Sequence, residues 1–223
     1  RSMLDAGDVP KANTANLGVL MHRGCHAATT VSATMELAAA AGVMWFATGG
    51  LGGVHKGFGE HLDVSSDLAA FTRFPVAVVT SGVKSILDVE STREVLETLG
   101  VTVVGFRTDR FPAFYRRESD AGVDVRFDDE RDLAAVVRGE MARPGRGIVV
   151  ANPIPQEHEI GESDWARWLG EAEQRAMEAG ATGRGVTPAV LGALHEVSGG
   201  ATLRANIALV EANARLAGRL AVS

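Results

Sequence analysis

The chain has 223 residues, of which 46% are hydrophobic and 22% charged, and its net charge at pH 7 is −6. This composition indicates a globular protein with one large domain or a tight pair, and it excludes a disordered or fibrous chain. The single cysteine excludes a disulfide framework, and the acidic net charge argues against nucleic-acid binding. No apolar run approaches the roughly 20 residues of a membrane span. We therefore expect a cytoplasmic protein.

Residues 1–16 are polar and rich in alanine and glycine, which predicts a loop rather than a first strand. Later apolar runs are rich in β-branched residues and bounded by glycine or proline, which predicts buried strands. Runs that are apolar throughout indicate that both faces of the sheet are covered, as in parallel sheets. The predicted strands are 43–48, 76–80, 101–106 and 147–151, with a weaker one at 17–21.

Amphipathic segments alternate with these strands and predict helices. The predicted helices are 29–41, 85–99, 129–141, 163–179, 187–197 and 202–221. An alternation of strands and helices favours a layered α/β/α fold with a mainly parallel sheet. We expect residues 1–223 to form a single domain of this kind.

Lysine is rare in this chain. Among the 22 lysines and arginines, the lysines are Lys11, Lys56 and Lys84. Arginine keeps its proton near neutral pH, whereas a lysine amine can lose it and form an imine. Each lysine is therefore a candidate for amine chemistry, although a codon bias that leaves three accidental lysines explains the count equally well.

Lys84 stands out because it follows the predicted strand 76–80 and precedes the predicted helix 85–99. In parallel α/β folds, ligands gather beyond the carboxyl ends of the strands. The positive end of a helix and partial burial both disfavour the ammonium form of a lysine at such a turn. We therefore predict that Lys84 keeps a free amine that can attack a carbonyl.

A glycine-rich segment, 48–57, follows the predicted strand 43–48. Its glycines leave backbone N–H groups accessible to an anion. The segment matches neither the dinucleotide fingerprint nor the phosphate-binding loop of nucleotide hydrolases. The alternative is a flexible surface loop.

Asp63 and Asp67 are four residues apart, with hydroxyl side chains between them. Such oxygens could bind a hard divalent cation. Alternatively, Asp63 or Ser65 caps the short helix that follows, and composition alone favours the cap. His22 and His26 also have a spacing of four, but the glycine between them indicates a loop, and we do not expect them to bind metal.

Seven segments together resemble one family. They read Ala-Thr-Thr-Val-Ser-Ala-Thr-Met at 28–35, Phe-Ala-Thr-Gly-Gly-Leu-Gly-Gly-Val-His-Lys-Gly at 46–57, Asp-Val-Ser-Ser-Asp-Leu at 63–68, Gly-Val-Lys-Ser-Ile-Leu-Asp at 82–88, Phe-Pro-Ala-Phe-Tyr at 111–115, Ala-Asn-Pro-Ile-Pro at 151–155 and Ala-Asn-Ile-Ala-Leu-Val at 205–210. They occur in the family's order across essentially the whole chain. In these segments the chain resembles the pseudouridine-5′-phosphate glycosidases.

The resemblance implies a reversible reaction in which pseudouridine 5′-phosphate is cleaved to uracil and ribose 5-phosphate. It implies Mn2+ as cofactor, an imine between a lysine and C1′ of the opened ribose, and a homotrimer. A C-glycosidic bond has no leaving-group oxygen or nitrogen to protonate, so an imine beside the bond supplies the electron sink. By this resemblance, Lys84 is the nucleophile and Asp67 is the metal ligand. Ser65, near Asp67, is a substrate contact, and the other substrate contacts are Lys11, Thr30, Thr48 and Asn206.

The chain departs from the family at several positions. The family usually has arginine at Lys56, alanine at Ser66, glycine at Ala27 and Ala-Gly-Ala-Lys at 81–84. Ala27 and Val83 add bulk near the expected pocket, which bears on the choice of base. The family's N-terminal portion, which carries a glutamate that acts as general acid or base, has no counterpart here, and we expect it in a larger parent chain.

Three hypotheses follow. The leading one is a pseudouridine-5′-phosphate glycosidase. The second is a synthase that joins ribose 5-phosphate to an aromatic acceptor in secondary metabolism, favoured by the changed pocket positions. The third is a non-catalytic sugar-phosphate-binding protein, which the missing glutamate favours, while the retained Lys84 and Asp67 argue against it.

Overall fold

The computed structural model describes residues 9–57, 59, 62–143, 146–180 and 186–223. Its strands, in chain order, are β1 (Lys11–Ala12), β2 (Ala28–Thr29), β3 (Trp45–Ala47), β4 (Val54–His55), β5 (Ala77–Thr80), β6 (Leu87–Asp88), β7 (Val103–Phe106), β8 (Val125–Phe127) and β9 (Ile148–Ala151). Its helices are α1 (Leu17–His22), α2 (Val31–Ala40), α3 (Ser66–Ala70), α4 (Val89–Thr98), α5 (Glu130–Met141), α6 (Glu162–Glu178), α7 (Val186–Val197) and α8 (Ala201–Val222), with a short 3-10 helix at Gln156–His158.

The main sheet has five strands in the order β3-β5-β9-β7-β8, and every neighbouring pair is parallel. Val79 of β5 lies opposite Ala47 of β3 and Val150 of β9, so these three strands end at the same level. The residues that follow their ends therefore meet at one edge of the sheet.

Helices cover both faces of the sheet. Successive side chains of a strand point to opposite faces, and in β5 Val78 packs with Met35 of α2 and Leu96 of α4. The opposite face is covered by α5 and α8, where the cluster that contains Val79 also contains Leu216. This arrangement confirms the predicted layered α/β/α fold with a mainly parallel sheet.

The amino-terminal part of the described chain differs from the prediction. The predicted weak strand at 17–21 is helix α1, which begins because the carbonyl of Asn13 accepts the N–H of Leu17 at 2.9 Å in a turn closed by Asn16. The predicted loop at 1–16 contains β1, which pairs in parallel with β2. Residues 1–8 of that prediction lie outside the described residues.

Helix α4 begins at Val89, four residues later than predicted. Asp88 caps it by accepting hydrogen bonds from the N–H and hydroxyl groups of Ser91 at 2.9 and 2.8 Å. The preceding residues pair instead as β6 with β4, in antiparallel orientation. The edge strand β8 was not predicted because its short, largely exposed sequence has no apolar run.

Among the described residues, no helix is long and apolar enough to cross a membrane.

Candidate active site

Lys84 lies in a tight turn beyond the carboxyl end of β5. Its backbone N–H donates to the carbonyl of Leu51 at 3.1 Å, and the N–H of Leu51 donates to the carbonyl of Gly82 at 2.9 Å. Gly82 has a φ of 82°, and a Cβ on it would lie 1.7 Å from the carbonyl oxygen of Pro112. Only glycine fits this position, so the turn is held between the glycine-rich segment and residues 111–115.

The surroundings of Lys84 lower the pKa of its amine. The largest cause is burial, which removes water from the ammonium form, and the positive charge of Lys11 lowers the pKa further, while Asp67 raises it. The residue as a whole is still exposed, so the amine can reach a ligand from solvent. The attribution of this effect to a helix N-terminus is wrong, because β6 separates Lys84 from α4, which begins at Val89.

Asp67 is a buried carboxylate, 3% exposed, that connects three segments of the chain. Its Oδ1 accepts the backbone N–H of Ser32 at 2.9 Å, and its Oδ2 accepts the N–H of Gly52 at 2.9 Å. A Cβ on Gly52 would lie 2.7 Å from Oδ2, so the close approach of the loop requires glycine. Asp67 thus fixes the glycine-rich segment against the first turn of α2.

The two candidate caps of α3 have different roles. Ser65 caps the helix, since its Oγ accepts the N–H of Asp67 at 3.2 Å. Asp63 is not the cap. Its side chain is 67% exposed and lies 3.9 Å from Nε2 of His55.

Hydroxyl groups lie beside Asp67. The Oγ1 of Thr30 lies 2.9 Å from the Oγ of Ser32, which lies 3.1 Å from the Oγ of Ser66. The N–H of Thr30 donates to the carbonyl of Ala12 at 2.9 Å, and this bond holds Thr30 next to β1, which carries Lys11. The pairing of β1 with β2 therefore brings Lys11 and Thr30 to the surroundings of Asp67.

Thr48 and Asn206 border the other end of the glycine-rich segment. The N–H of Thr48 donates to the carbonyl of Val79 at 3.0 Å and extends the pairing of β3 with β5. A Cβ on Gly49 would lie 3.2 Å from Oδ1 of Asn206 and 3.2 Å from the ring of Phe114. Asn206 on α8 therefore faces the first glycine of the segment.

Several backbone N–H groups of the glycine-rich segment already donate hydrogen bonds within the protein. The N–H groups of Leu51, Gly52 and Val54 donate to Gly82, Asp67 and Thr92. Fewer N–H groups therefore face an anion than the sequence suggests.

The predicted site residues lie in or near this segment. Thr48 is its first residue, and the others are Lys11, Thr30, Ser65, Asp67, Lys84 and Asn206. Lys56 is exposed in the turn after β4. Within the described ranges, no group of three or more His, Cys, Asp or Glu residues could hold a metal ion. Sequence reasoning missed Ser32 and Asn213; the signal for Asn213 is a polar residue between the buried positions Leu209 and Leu216 of α8.

Comparisons with known proteins show the family of this chain. Residues 1–223 match the family described as indigoidine synthase A like protein. A pseudouridine-5′-phosphate glycosidase of Methylobacterium nodulans is 48% identical over 219 residues, which are 98% of this chain and 65% of that protein. One of Mesorhizobium japonicum is 46% identical over 222 residues, 99% of this chain and 72% of that protein. The chain thus spans 65% and 72% of the length of these two relatives.

Solved structures match as well. The prealnumycin C-glycosynthase in complex with ribulose 5-phosphate has a TM-score of 0.89 and 35% identity over 97% of this chain and 72% of that one. An indigoidine synthase A-like protein from Thermotoga maritima has a TM-score of 0.87 and 38% identity over 99% of this chain and 73% of that one. The resemblance inferred from the sequence is confirmed, and the chain belongs to the indigoidine synthase A-like family, with pseudouridine-5′-phosphate glycosidases among its relatives.

Proposed function

We propose that this chain is the catalytic part of a pseudouridine-5′-phosphate glycosidase. Such an enzyme cleaves, and in reverse forms, the C–C bond between ribose 5-phosphate and uracil. Relatives with this name are 48% and 46% identical over nearly the whole chain. The observation that carries the chemistry is the position of Lys84 at the carboxyl edge of the sheet, with an amine whose pKa burial lowers.

The mechanism is simplest in the synthetic direction. The Nζ of Lys84 attacks C1′ of the open aldehyde form of ribose 5-phosphate, and loss of water gives an imine. The imine carbon then accepts an electron pair from a ring carbon of the base, the C–C bond forms, and that ring carbon loses its proton. After the Lys84 nitrogen takes up a proton, the amine leaves C1′, and the sugar hydroxyl that closes the ring bonds to C1′ and loses its own proton. The balance is sugar phosphate plus base to C-nucleotide plus water.

The lowered pKa of Lys84 serves the first step, because only the unprotonated amine is a nucleophile. Lys11 contributes by its positive charge, which disfavours a second charge on Lys84. Asp67 acts in the opposite sense, and its fixed negative charge would stabilise the cationic imine once it forms. Thr30, Thr48, Ser65 and Asn206 are proposed to bind the sugar phosphate through their polar groups.

We further propose that Mn2+ binds beside Asp67. A carboxylate has about four lone-pair positions, and those of Asp67 that remain beyond the two backbone bonds fit an ion held mostly by water molecules. The hydroxyl groups of Ser32 and Ser66 add oxygen atoms of the kind that hard cations prefer. When bound, the ion would supply positive charge that holds the oxygens of the sugar phosphate.

A second candidate function is synthesis of a C-riboside with an aromatic acceptor. It is favoured by the likeness to the prealnumycin C-glycosynthase. Val83 does not add to this support, because its side chain is fully buried in the hydrophobic core. A non-catalytic sugar-phosphate-binding role is disfavoured because such a role does not need a lysine with a lowered pKa.

The test is an assay of the full-length protein with pseudouridine 5′-phosphate and Mn2+, in which release of uracil is followed by chromatography. We expect release by the wild type and by Lys56→Arg, and none by Lys84→Arg. Reverse assays with uracil and with aromatic acceptors separate the first two functions, and inertness toward every acceptor would contradict both.

Assembly as a homotrimer and a cytoplasmic location belong to the same proposal and rest on the resemblance. Light scattering at micromolar concentration is expected to give three times the monomer mass, and a monomer would contradict the trimer.

A further inference from the structure

One amide on α8 connects the ends of three adjacent strands. Asn213 is fully buried, with 0% of its surface exposed. Its Nδ2 donates to the carbonyl of Thr48 at 2.8 Å and to Oγ of Ser81 at 3.1 Å, and its Oδ1 accepts from Nδ2 of Asn152 at 2.9 Å. Both donor hydrogens and the acceptor of this amide are therefore used.

Its partners occupy equivalent places in the sheet. Thr48, Ser81 and Asn152 are the first residues after β3, β5 and β9. Ser81 also donates from Oγ to the carbonyl of Asn152 at 3.0 Å, which closes the network between two of these strand ends. Backbone bonds also continue past these strand ends, because the N–H of Ser81 donates to the carbonyl of Gly49 at 3.0 Å and the N–H of Asn152 donates to the carbonyl of Thr80 at 2.9 Å. The amide adds a side-chain connection that joins all three strand ends to α8.

The network bears directly on the candidate site. Ser81 begins the turn that ends at Lys84, and its carbonyl accepts the N–H of Phe114 at 2.9 Å. Asn206 precedes Asn213 by two helical turns and so lies on the same face of α8. Fixing Asn213 thus fixes the turn, Thr48 and Asn206 with respect to one another.

We propose that Asn213 is a positioning residue that holds the turn carrying Lys84 in register with Thr48 and with the α8 face that carries Asn206. Fully satisfied buried polar networks rigidify and specify one arrangement. A displacement of about 1 Å at a reacting group is enough to cost about 100-fold in rate. This proposal rests on the function proposed above for Lys84.

The experiment compares variants of the full-length protein. Asn213→Leu has the same number of side-chain heavy atoms in a similar branched shape, and it removes every bond of the amide. Asn213→Ser is smaller and keeps one hydroxyl, so it serves if the leucine variant does not fold. Leu220→Ala is the matched control, because Leu220 is a fully buried residue of the same helix that packs against the sheet away from the strand ends.

The first readout is the rate of borohydride-trapped adduct on Lys84 at saturating ribose 5-phosphate, per folded molecule. We expect at least about a tenfold loss in the Asn213 variants, with a smaller change in the half-saturating concentration, and wild-type rates in Leu220→Ala. If Leu220→Ala loses as much rate as the Asn213 variants at equal loss of melting temperature, Asn213 is only structural and the proposal is overturned.

The second readout does not depend on the sugar. Competitive acetylation with acetic anhydride, mapped by peptide mass spectrometry, gives the reactivity of Lys84 relative to the exposed Lys56. We expect this ratio to change at least about threefold in the Asn213 variants and to stay constant in Leu220→Ala. If the wild type forms no sugar adduct while the ratio changes, the proposed function fails and the positioning role stands. An unchanged ratio overturns the positioning role.

Discussion

The backbone N–H of Lys84 donates to the carbonyl of Leu51, 3.1 Å away. This bond joins the turn after β5 to the glycine-rich segment after β3, so the lysine and the segment cannot move independently. Because the N–H of Gly52 donates to Asp67, the same segment also holds the carboxylate that acts on the Lys84 charge. Nucleophile and carboxylate are thus fixed on two sides of one short stretch of backbone.

The first prediction concerns the covalent adduct. Borohydride reduction in the presence of ribose 5-phosphate is expected to fix one sugar phosphate on Lys84, since its amine has the lowered pKa. Peptide mass spectrometry locates the adduct. The Lys84→Arg variant keeps the charge but has no nucleophilic amine, and we expect no adduct with it. An adduct on Lys11 or Lys56 would exclude the proposed mechanism.

The second prediction concerns pH. The positive charge of Lys11 lowers the pKa of Lys84, so Lys11→Met is expected to raise that pKa toward its ordinary value of 10.5. Since the free amine reacts, the rate of Lys84 acetylation should reach its half-maximum at a higher pH in the variant. Lys11→Arg keeps the charge and is expected to leave the midpoint unchanged. A midpoint that moves to lower pH in Lys11→Met would show that Lys11 does not act by its charge.

The third prediction concerns the metal. Asp67→Asn is expected to weaken Mn2+ binding by about 10- to 100-fold, as loss of a supporting ligand does at other metal sites. Both oxygens of Asp67 accept backbone N–H groups, from Ser32 and Gly52. The asparagine amide has only one oxygen, so in either orientation its NH2 group would face one of these two N–H donors. Electron paramagnetic resonance of free Mn2+ measures the affinity without an activity assay.

Asp63→Asn is the matched variant for this titration, because Asp63 is an exposed carboxylate four residues away. We expect it to bind Mn2+ as the wild type does. The opposite pattern, with Mn2+ binding lost in Asp63→Asn and kept in Asp67→Asn, would move the metal to the exposed carboxylate beside His55.

The fourth prediction concerns the start of α3. Ser65→Ala removes the oxygen that caps this helix, which is expected to lower the free energy of unfolding by about 1 kcal/mol. Asp63→Asn makes no change at the cap and is expected to leave the free energy of unfolding within about 0.5 kcal/mol of the wild type. Urea denaturation measures both. Equal losses in the two variants would mean that Asp63 supports the helix by a route other than capping.

Much of the architecture could be predicted because it depends on local patterns. Runs such as 147–151 are apolar throughout, and their burial between two layers of helices follows from that. Lys84 could be located because it follows such a strand. Burial, the largest cause of its lowered pKa, was predicted from this position. The opposing effects of Lys11 and Asp67 could not be predicted, because these residues come near Lys84 only through tertiary packing. The start of α4 was missed because the apolar residues just before Asp88 fit a helical pattern, whereas the pairing of β6 with β4 takes up Leu87 and Asp88 and the helix begins after the cap Asp88.

The bond between Asn213 and Thr48 spans 165 positions of the sequence. During synthesis, Thr48 and the Lys84 turn leave the ribosome long before α8 is available to join them. Contacts of such separation form late, after the loop between them has closed. If Asn213 positions the Lys84 turn as proposed, a nascent or truncated chain without α8 is expected to hold Thr48 and this turn less firmly.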